Sequence, residues 1–446
     1  MHQAKACEIF GLERISVLLL HCGLAIVMPA VFMWRSGRGK VFHPMDVLLL
    51  AIFVIVYTGM MLGSLPRLLI DRTGIVLLGA ILVLATGRLS LDEAWQVVDV
   101  PTMALLFGLM VVSAQFRLGG FYTLLTRRLE SLGGSAPAFL AQVMVLSAAL
   151  SALLANDIIC LAVTPVLLDL CARRGLNPMP HLIGLACASN IGSAATLIGN
   201  PQNMLIGQVM ALPFLGYTMA ATVPTVLSLM VAWGVIRFVY TGKWSGGAAV
   251  SAPEGPPFDR WQTAKGLLVL GAVVVLFLGG WFPRELVALG AAGVLLVSRR
   301  LASPRFLGLV DWNLLVLFLG LFVINHAMGE SGMIGSAVEW IRGLGIDPDH
   351  GGWLLVITAV LSNLVSNVPA VMLLMDATAH PNGGVILALA STFAGNLILV
   401  GSIANLIVVE QAGRLGVRLS AWEHARCGVP ITLASLAITA LWIAIG

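Results

Sequence analysis

The sequence has few charged residues. Of its 446 residues, 10% are charged and 59% are hydrophobic, whereas a soluble domain carries about 25% charged residues. The mean hydropathy of +0.97 likewise excludes an ordinary soluble protein. The formal net charge is only +4, and the basic residues are scattered over short loops without aromatic residues between them. This distribution gives no indication of a nucleic-acid partner.

Cysteines and catalytic motifs are also scarce. The six cysteines show no CxxC spacing, and most lie in apolar segments, so they predict neither a disulfide framework nor a metal site. The chain contains no HExxH or GxSxG motif. Its apolar segments hold scarcely any titratable pair able to do acid–base chemistry. We therefore expect no enzyme activity and no cofactor.

Long apolar stretches make up most of the chain. Examples are VLLLAIFVIVYTGMML from Val47 and GLLVLGAVVVLFLGGWF from Gly266, and a helix needs about 20 such residues to cross a bilayer. The stretches do not alternate as the strands of a membrane barrel do. The sequence therefore predicts an all-α polytopic membrane protein with about 11 transmembrane helices. The first of these is expected at 15–34, because no small-residue cleavage pattern of a signal peptide follows it.

The chain contains an internal repeat. LSALLAN recurs as LSNLVSN, and LACASN recurs further on as LALAST. Three glycines before these blocks recur at one common offset: Gly108 as Gly320, Gly120 as Gly332 and Gly133 as Gly345. Matched blocks in the same order indicate a duplicated membrane fold, which is the usual build of secondary transporters. The predicted divisions are an N-terminal helix and loop (1–45), a first repeat (46–240), a polar linker (241–262) and a second repeat (263–446).

Two segments of each repeat do not fit simple spans. In the first repeat, two short apolar arms over 137–171 meet at Asn156 and Asp157, and 181–211 is interrupted at Gly199, Asn200 and Pro201. These features predict a re-entrant helical hairpin and a broken helix, which are tolerated where the backbone is buried in protein or lines a cavity. The matching segments of the second repeat are a hairpin at 351–379 and a broken helix at 383–411, interrupted at Gly401 and Ser402.

Loop charge orients the two repeats. Three arginines and one glutamate precede the first hairpin and two arginines follow it, whereas four acids and one arginine precede the second hairpin and one aspartate follows it. By the positive-inside rule, the first hairpin opens to the cytoplasm and the second to the outside. We therefore predict an inverted-topology repeat in the inner (plasma) membrane, with a cytoplasmic N-terminus and an external C-terminus.

At the hairpins and breaks, the sequence resembles a superfamily of ion transporters. This superfamily includes arsenite/antimonite efflux permeases, sodium/proton antiporters, citrate transporters and divalent-anion:sodium symporters. LLANDIICLAVTPVLL looks like the Ala-Asn-Asp segment of the arsenite permeases, and SNVPAVMLL is similar to their second tip. ASNIGSAATLIGNPQNMLIG and GSIANLIVVEQAG look more like the broken helices of the antiporter and anion-permease branches. The resemblance covers roughly 46–446.

The resemblance implies a mobile transport domain that moves like an elevator against a scaffold, and this scaffold often forms a homodimer. The symporters of the superfamily carry Ser-Asn-Thr at both hairpin tips. Here the tips read Ala155, Asn156 and Asp157 in the first repeat and Ser366, Asn367 and Val368 in the second.

The two tips and the two breaks predict one binding site near the midplane. Half-helix N-termini bind anions without Lys or Arg, and the four motifs contain no basic residue. Their amides and hydroxyls suit oxyanions, carboxylates or neutral hydroxides. Backbone capping at the breaks is the alternative role of each asparagine, and both roles can hold together. The predicted substrate ligands are Asn156, Ser189, Asn190, Ser193, Thr196, Asn200, Asn203, Ser366, Asn367, Ser391, Thr392, Asn396, Ser402 and Asn405.

Asp157 is the only acid in the four motifs. An ionised carboxylate is costly at the midplane, so this side chain is expected to be protonated, or paired with a cation, during part of the cycle. We predict that Asp157 couples transport to H⁺ or Na⁺. The alternative is that it only caps the second hairpin helix.

These features predict a secondary active transporter for a small anion or oxyanion, such as arsenite, antimonite or a carboxylate, coupled to protons or cations. Sodium/proton antiport, with Asp157 exchanging the two ions, is the alternative. A channel would not need two oppositely oriented copies of one hairpin. The chain has no ATP-binding motif, so uphill transport would draw on an ion gradient or, in an arsenite pump, on a separate ATPase subunit.

Overall fold

The structure, a computed structural model, describes residues 44–63, 70–131, 133–246 and 257–445. Within these ranges it contains twenty α-helices and no β-strand, which confirms the all-α prediction. The N-terminal helix predicted at 15–34 lies outside the described residues.

The helices fall into two successive sets of ten. The first set is α1 (Pro44–Leu62), α2 (Arg72–Ala85), α3 (Leu91–Val97), α4 (Val100–Leu118), α5 (Phe121–Ser131), α6 (Ala136–Ser151), α7 (Asn156–Arg173), α8 (Pro178–Ser193), α9 (Pro201–Val209) and α10 (Phe214–Val239). The second set is α11 (Arg260–Gly279), α12 (Arg284–Leu296), α13 (Ser303–Leu307), α14 (Trp312–Glu330), α15 (Met333–Gly343), α16 (Gly351–Val365), α17 (Asn367–Leu374), α18 (Gly383–Ala394), α19 (Ile403–Arg414) and α20 (Ala421–Ile445).

The two sets correspond helix by helix. α4 and α14 are both 19 residues long, and α5 and α15 are both 11 residues long. The first residues of α4 and α14 are as far apart in the sequence as the matched glycines, and so are the first residues of α5 and α15. The starts of α9 and α19 are separated by the offset of the matched LACASN and LALAST blocks. The order of helices therefore supports the internal repeat.

Both predicted hairpins and both predicted breaks coincide with interruptions between helices. Residues 152–155 separate α6 from α7, and Ser366 alone separates α16 from α17. The breaks span 194–200 and 395–402, and the second contains a short 3₁₀ turn at Leu399–Gly401. One detail of the prediction was wrong: Pro201 is the first residue of α9 and not part of the break. Proline suits that position because its missing N–H would have no partner there in any case.

The predicted end of the linker, at residue 262, also lies beyond the start of the next helix. α11 begins at Arg260, inside the range 241–262, because Asp259 caps it: Oδ1 accepts hydrogen bonds from the N–H groups of Trp261 and Gln262 at 2.9 and 3.1 Å.

Six helices of the described ranges are long and apolar enough to cross a membrane by length and composition. They are α1, α4, α10, α11, α14 and α20. Apolar helices of 10–17 residues, including α2, α6, α16 and α18, accompany them. The count of about 11 spans therefore stays a prediction.

The chain divides into two compact units, and each takes helices from both sets. The first unit contains α1–α3 and α14–α17, and the second contains α4–α13 and α18–α20. Within the first unit, α14 packs against α1, α2 and α3. Within the second unit, α4 packs against α11, α12 and α13. The fourth helix of each set thus packs against the first three helices of the other set.

Two of the matched glycines lie in these exchanged contacts. A Cβ added to Gly108 would lie 2.5 Å from the carbonyl carbon of Ala288 on α12. A Cβ added to Gly320 would lie 2.7 Å from Cγ1 of Val76 on α2 and 3.2 Å from its carbonyl oxygen. Because real Cβ atoms do not approach other atoms this closely, the recurrence of Gly108 as Gly320 has a packing cause.

Candidate functional site

The second unit gathers most of the predicted ligands. Twelve of the fourteen lie in it, and each is at most 7% exposed. We call these twelve the amide cluster: Asn156, Ser189, Asn190, Ser193, Thr196, Asn200, Asn203, Ser391, Thr392, Asn396, Ser402 and Asn405.

Asn190, near the end of α8, is the central residue of the amide cluster. Its Nδ2 donates to Oδ1 of Asn396 at 2.9 Å and to Oδ1 of Asn405 at 3.1 Å. Its Oδ1 accepts from Nδ2 of Asn156 at 3.1 Å and from Oγ of Ser402 at 3.0 Å. One amide, 2% exposed, therefore connects the first hairpin, the first broken helix and the second broken helix.

Thr392 has the corresponding role on α18, where it matches Asn190 in the aligned blocks LACASN and LALAST. Its Oγ1 accepts from Nδ2 of Asn200 at 3.1 Å and from Nε2 of Gln202 at 3.4 Å. It also donates to Oδ1 of Asn203 at 3.5 Å. Each of the two residues therefore contacts the beginning of the broken half-helix in the other repeat.

The same side chains cap and bridge the breaks. Asn200 caps α9 by accepting the N–H of Asn203 at 2.9 Å, and Ser402 caps α19 by accepting the N–H of Ala404 at 3.2 Å. The capping role proposed as an alternative is therefore real for Asn200, and the same side chain also reaches the other repeat through Thr392.

Two further asparagines bridge the breaks from the side. Asn203 Nδ2 donates to the carbonyl oxygens at 193 and 196, at 3.3 and 3.1 Å. Asn405 Nδ2 donates to those at 395 and 398, at 2.8 and 3.4 Å. The asparagine and both carbonyl groups of the first repeat align with those of the second repeat at the same sequence offset. The bonds therefore satisfy equivalent carbonyl groups, which have no hydrogen-bond partner within the interrupted helices.

The tip of the first hairpin docks on the first break. The N–H of Asn156 donates to the carbonyl oxygen of Gly199 at 3.2 Å, and Ser189 Oγ donates to the carbonyl oxygen of Asn156 at 3.1 Å. Thr196 Oγ1 donates to the carbonyl oxygen of Ala152 at 2.5 Å. The hydroxyls of Ser193 and Ser391 instead bond to carbonyls of their own helices, at 190 and 387.

Two polar atoms of the amide cluster stay without a protein partner. Asn156 Oδ1 and Asn396 Nδ2 are buried and make no hydrogen bond to any described residue. One is an acceptor and the other is a donor, and they belong to the residues that flank Asn190 in the chain of amides. Buried polar groups are normally paired, so this pair indicates a place for a bound molecule or ion.

Asp157 lies beside Asn156 in the first turn of α7. The cap position of this helix is Ala155, and no side chain caps it, so the capping alternative for Asp157 is not realised. Within the described part of its unit, the Asp157 carboxylate makes no hydrogen bond or ion pair, and Asp311 is close enough to repel it electrostatically. A carboxylate with this surrounding favours a proton or a cation.

The remaining two predicted ligands, Ser366 and Asn367, form the second hairpin tip in the first unit. Ser366 has φ +81° and ψ 160°, a backbone conformation that is essentially restricted to glycine. Ser362 Oγ donates to Oδ1 of Asn367 at 2.5 Å. Their participation in the same site as the amide cluster stays a prediction.

Besides Gln202, which donates to Thr392, sequence reasoning missed two residues of this site. Tyr217 on α10 donates to the carbonyl oxygen of Ala194 at 2.8 Å and accepts from Asn203 at 3.1 Å. His424 on α20 has Nε2 3.0 Å from the carbonyl oxygen of Asn396, to which it donates. Positions 194 and 396 match each other in the two repeats. The available signal was a polar residue near the start of the last helix of each repeat, shortly before VPTVL and VPITL.

The chemistry of the amide cluster is binding chemistry. Its groups are amides and hydroxyls, and in the described part of the chain no three His, Cys, Asp or Glu side chains converge as metal ligands would. Buried polar breaks inside a helical membrane fold are typical of proteins that carry a solute across the bilayer. The fold and this site therefore define a membrane transporter.

The comparison with known families agrees with this class. A model of the citrate transporter family (CitMHS) matches residues 48–394, which is most of the chain. The chain belongs to the citrate transporter family.

Individual relatives are similar over most of their length. The silicon efflux transporter LSI3 of rice is 29% identical over 84% of this chain and 93% of its own. The inner membrane protein YbiR of Escherichia coli is 30% identical over 75% of this chain and 85% of its own. Among solved structures, the YdaH transporter of Alcanivorax borkumensis matches with a TM-score of 0.54 and 14% identity, over 90% of this chain and 98% of that one. This last likeness shows a shared fold.

Proposed function

We propose that this protein is a secondary active transporter of the inner membrane that moves a small anion or oxyanion, with the amide cluster as its binding site. The observation that carries the proposal is the unpartnered pair, Asn156 Oδ1 and Asn396 Nδ2, on either side of Asn190. A substrate that accepts one hydrogen bond and donates another would satisfy both atoms.

The chemistry of the amide cluster favours a hydroxylated oxyacid or its singly charged anion. The cluster contains no Lys or Arg, and a compact polyanion would therefore lack a counter-charge there. The N-termini of α7, α9 and α19 lie at the cluster, and their positive dipole ends stabilise partial negative charge. Arsenite and antimonite in their hydroxylated forms fit this description, as does the silicon substrate named for the rice relative. A carboxylate remains the second substrate class.

We propose an elevator-type cycle for this transport. The helix order and the exchanged packing of α4 and α14 support two repeats of inverted topology, each with a re-entrant hairpin. Ser366 and Asn367 remain proposed ligands from the second hairpin, and a second copy of the chain is the proposed scaffold partner. The N-terminus is cytoplasmic and the C-terminus external in this scheme. A separate ATPase subunit is needed only if the protein is an arsenite pump.

Asp157 is the proposed coupling residue. Asp157 follows Asn156 directly in the chain. Protonation or cation binding at its carboxylate would therefore act next to Asn156, which carries the unpartnered acceptor. Because an unpaired charge is costly at membrane depth, the neutralised form is the one that crosses.

The same pair of residues favours one alternative, sodium/proton antiport. The carboxylate of Asp157 and the unpartnered amide oxygen of Asn156 are both oxygen ligands that a sodium ion accepts. In that case sodium itself, without any anion, would bind the site.

A thermal-shift experiment on the purified protein distinguishes these functions. Arsenite, antimonite, silicic acid, citrate, sulfate, phosphate, sodium and lithium are tested singly at two pH values. A ligand at 100 times its Kd stabilises the folded state by about 2.7 kcal/mol. We expect a hydroxylated oxyacid to raise the melting temperature, and Asn396→Leu to abolish that rise. A rise with sodium, together with no rise for any of the anions or oxyacids, would instead favour the antiport alternative.

The control is a second buried amide outside the cluster. Gln115 Nε2 donates to the carbonyl oxygen and to Oε1 of Gln262, at 2.7 and 3.0 Å. Gln115→Leu should lower the melting temperature of the free protein but keep the ligand-induced rise. If both variants keep the rise, the amide cluster is not the binding site.

A further inference from the structure

A cavity lies between the amphipathic helix α5 and the first hairpin helix α6, away from the amide cluster. Its volume is about 530 Å³. Its walls are almost entirely apolar, and its two polar members are one arginine and one glutamine. The residues that matter below are Leu125, Arg128 and Leu129 of α5 and Gln142, Val145 and Ala149 of α6.

Arg128 is the cation of this cavity that is free to bind a ligand. No carboxylate of the described residues lies within salt-bridge distance of it. Two arginines at the end of α7 are engaged by other partners: Arg173 pairs with Glu130 at 3.2 Å and with Asp169 at 2.9 Å. Arg174 donates to the last carbonyl oxygens of α5, at Leu129 and Glu130.

Gln142 supplies the second polar group. Its Nε2 donates to the carbonyl oxygen of Gly133 at 3.4 Å, but its Oε1 is buried and has no hydrogen-bond partner among the described residues. The cavity therefore combines an unpaired cation, an acceptor that lacks a donor, and an apolar wall. A ligand that complements it carries a negative charge, a hydroxyl group and a long apolar chain.

We propose that this cavity is a binding site for an anionic phospholipid with a hydroxylated headgroup. The phosphate pairs with the guanidinium of Arg128, and a headgroup hydroxyl donates to Gln142 Oε1. One acyl chain lies along Leu125, Leu129, Val145 and Ala149. Basic pockets beside membrane helices recognise anionic lipid headgroups in this way. The proposal needs only that the chain lies in a bilayer, and it does not depend on the substrate of the amide cluster.

The second repeat lacks the charge for such a site. At the offset of the matched glycines, Arg127 and Arg128 are replaced by Glu339 and Trp340 on α15. The recognition of anionic lipid therefore belongs to one repeat only. This difference agrees with the loop charges, which predict that the first hairpin opens to the cytoplasm.

Native mass spectrometry of the delipidated protein, with phosphatidylglycerol or phosphatidylcholine added, tests the proposal. We expect the wild type to retain phosphatidylglycerol in preference to phosphatidylcholine. Arg128→Gln should reduce that preference about fivefold, which is the contribution of one basic residue near an anionic lipid surface. Ala149→Trp, which fills the apolar wall, should lower the occupancy of both lipids. Both positions are exposed, so the variants should fold.

Arg414→Gln is the matched control. Arg414 is exposed and pairs with Glu410 at 2.7 Å, outside this cavity. It should leave the lipid preference unchanged. Equal binding of the two lipids by the wild type would overturn the proposal, and so would an unchanged preference in Arg128→Gln.

Discussion

Asn190 and Thr392 occupy matching positions of the two repeats, and each bonds to the residue that caps the broken half-helix of the other repeat. Ser402 Oγ donates to Asn190 at 3.0 Å, and Asn200 Nδ2 donates to Thr392 at 3.1 Å. The two breaks are therefore tied to each other and not only to their own helices. Loss of either hydrogen bond should therefore destabilise the breaks of both repeats.

Asn190→Leu should destabilise the protein more than Thr392→Val. It removes four hydrogen bonds, and at about 0.6 kcal/mol each in a membrane interior the loss is about 2 kcal/mol. The three bonds of Thr392 measure 3.1, 3.4 and 3.5 Å and are weaker. Thermal unfolding in detergent measures both losses. An equal or larger loss in Thr392→Val would contradict the central role of Asn190.

Gly192→Ala should disrupt the packing of α8 against α6. The added Cβ would lie 2.3 Å from Cα and 2.4 Å from the carbonyl oxygen of Ala148, so the backbones must separate. We expect a loss of about 3 kcal/mol, the upper end of the range for overpacking. Gly234→Ala on α10 is the control, because no atom of the described residues beyond its own helix backbone and chain neighbours lies within 4 Å of its added Cβ. There, alanine should be neutral or stabilising by up to about 1 kcal/mol, since glycine is the poorer helix former.

Ser366→Gly should raise stability at the second hairpin tip. Relief of the backbone strain at φ +81° is expected to contribute about 1 kcal/mol, after allowance for the entropy of glycine. If the hydroxyl is also a ligand, the same variant weakens substrate binding. Ser366→Ala separates the two effects, because it keeps the strain and removes the hydroxyl. The melting temperature is measured with and without ligand, and a fall for Ser366→Gly without ligand would show that the conformation is not strained.

Asp157→Asn should abolish transport driven by a pH gradient in proteoliposomes. The amide keeps the size of the side chain but can no longer take up a proton or balance a cation. Asp169→Asn is the control on the same helix, because Asp169 pairs with Arg173 at 2.9 Å near the other end of α7. That variant should keep pH-driven uptake. Full coupling in Asp157→Asn would exclude the proposed role.

The positions of the helix interruptions could be predicted because their signals are local. The segment 137–171, expected to form a hairpin, is divided into helices at 136–151 and 156–173, since polar residues interrupt an otherwise continuous apolar run. Its re-entrant path stays a prediction. The break near Asn200 was visible for the same reason. The start of a helix depends on a single capping residue such as Asp259. Because of this cap, α11 begins at Arg260, before the predicted end of the linker.

The hydrogen-bond partners could not be predicted in the same way. The bond between Asn190 and Asn405 joins two residues that are far apart in the chain, and nothing in the local pattern specifies it. Tyr217 and His424 were missed because each lies in a long apolar helix, where one polar residue gives no periodic signal. The unpartnered atoms of Asn156 and Asn396 likewise emerge only when every other partner is known.

The exchange of helices between the two sets has a consequence for biosynthesis. α14 emerges from the ribosome after α1, α2 and α3, so its partners already exist. α4 must wait for part of its packing, because it ends at Leu118 and α12, against which Gly108 packs, begins only at Arg284. During that interval Gly108 lacks its contact with Ala288 of α12, and such unfinished surfaces are what chaperones and proteases recognise. The first repeat therefore reaches its full packing only after the first helices of the second repeat have been synthesised.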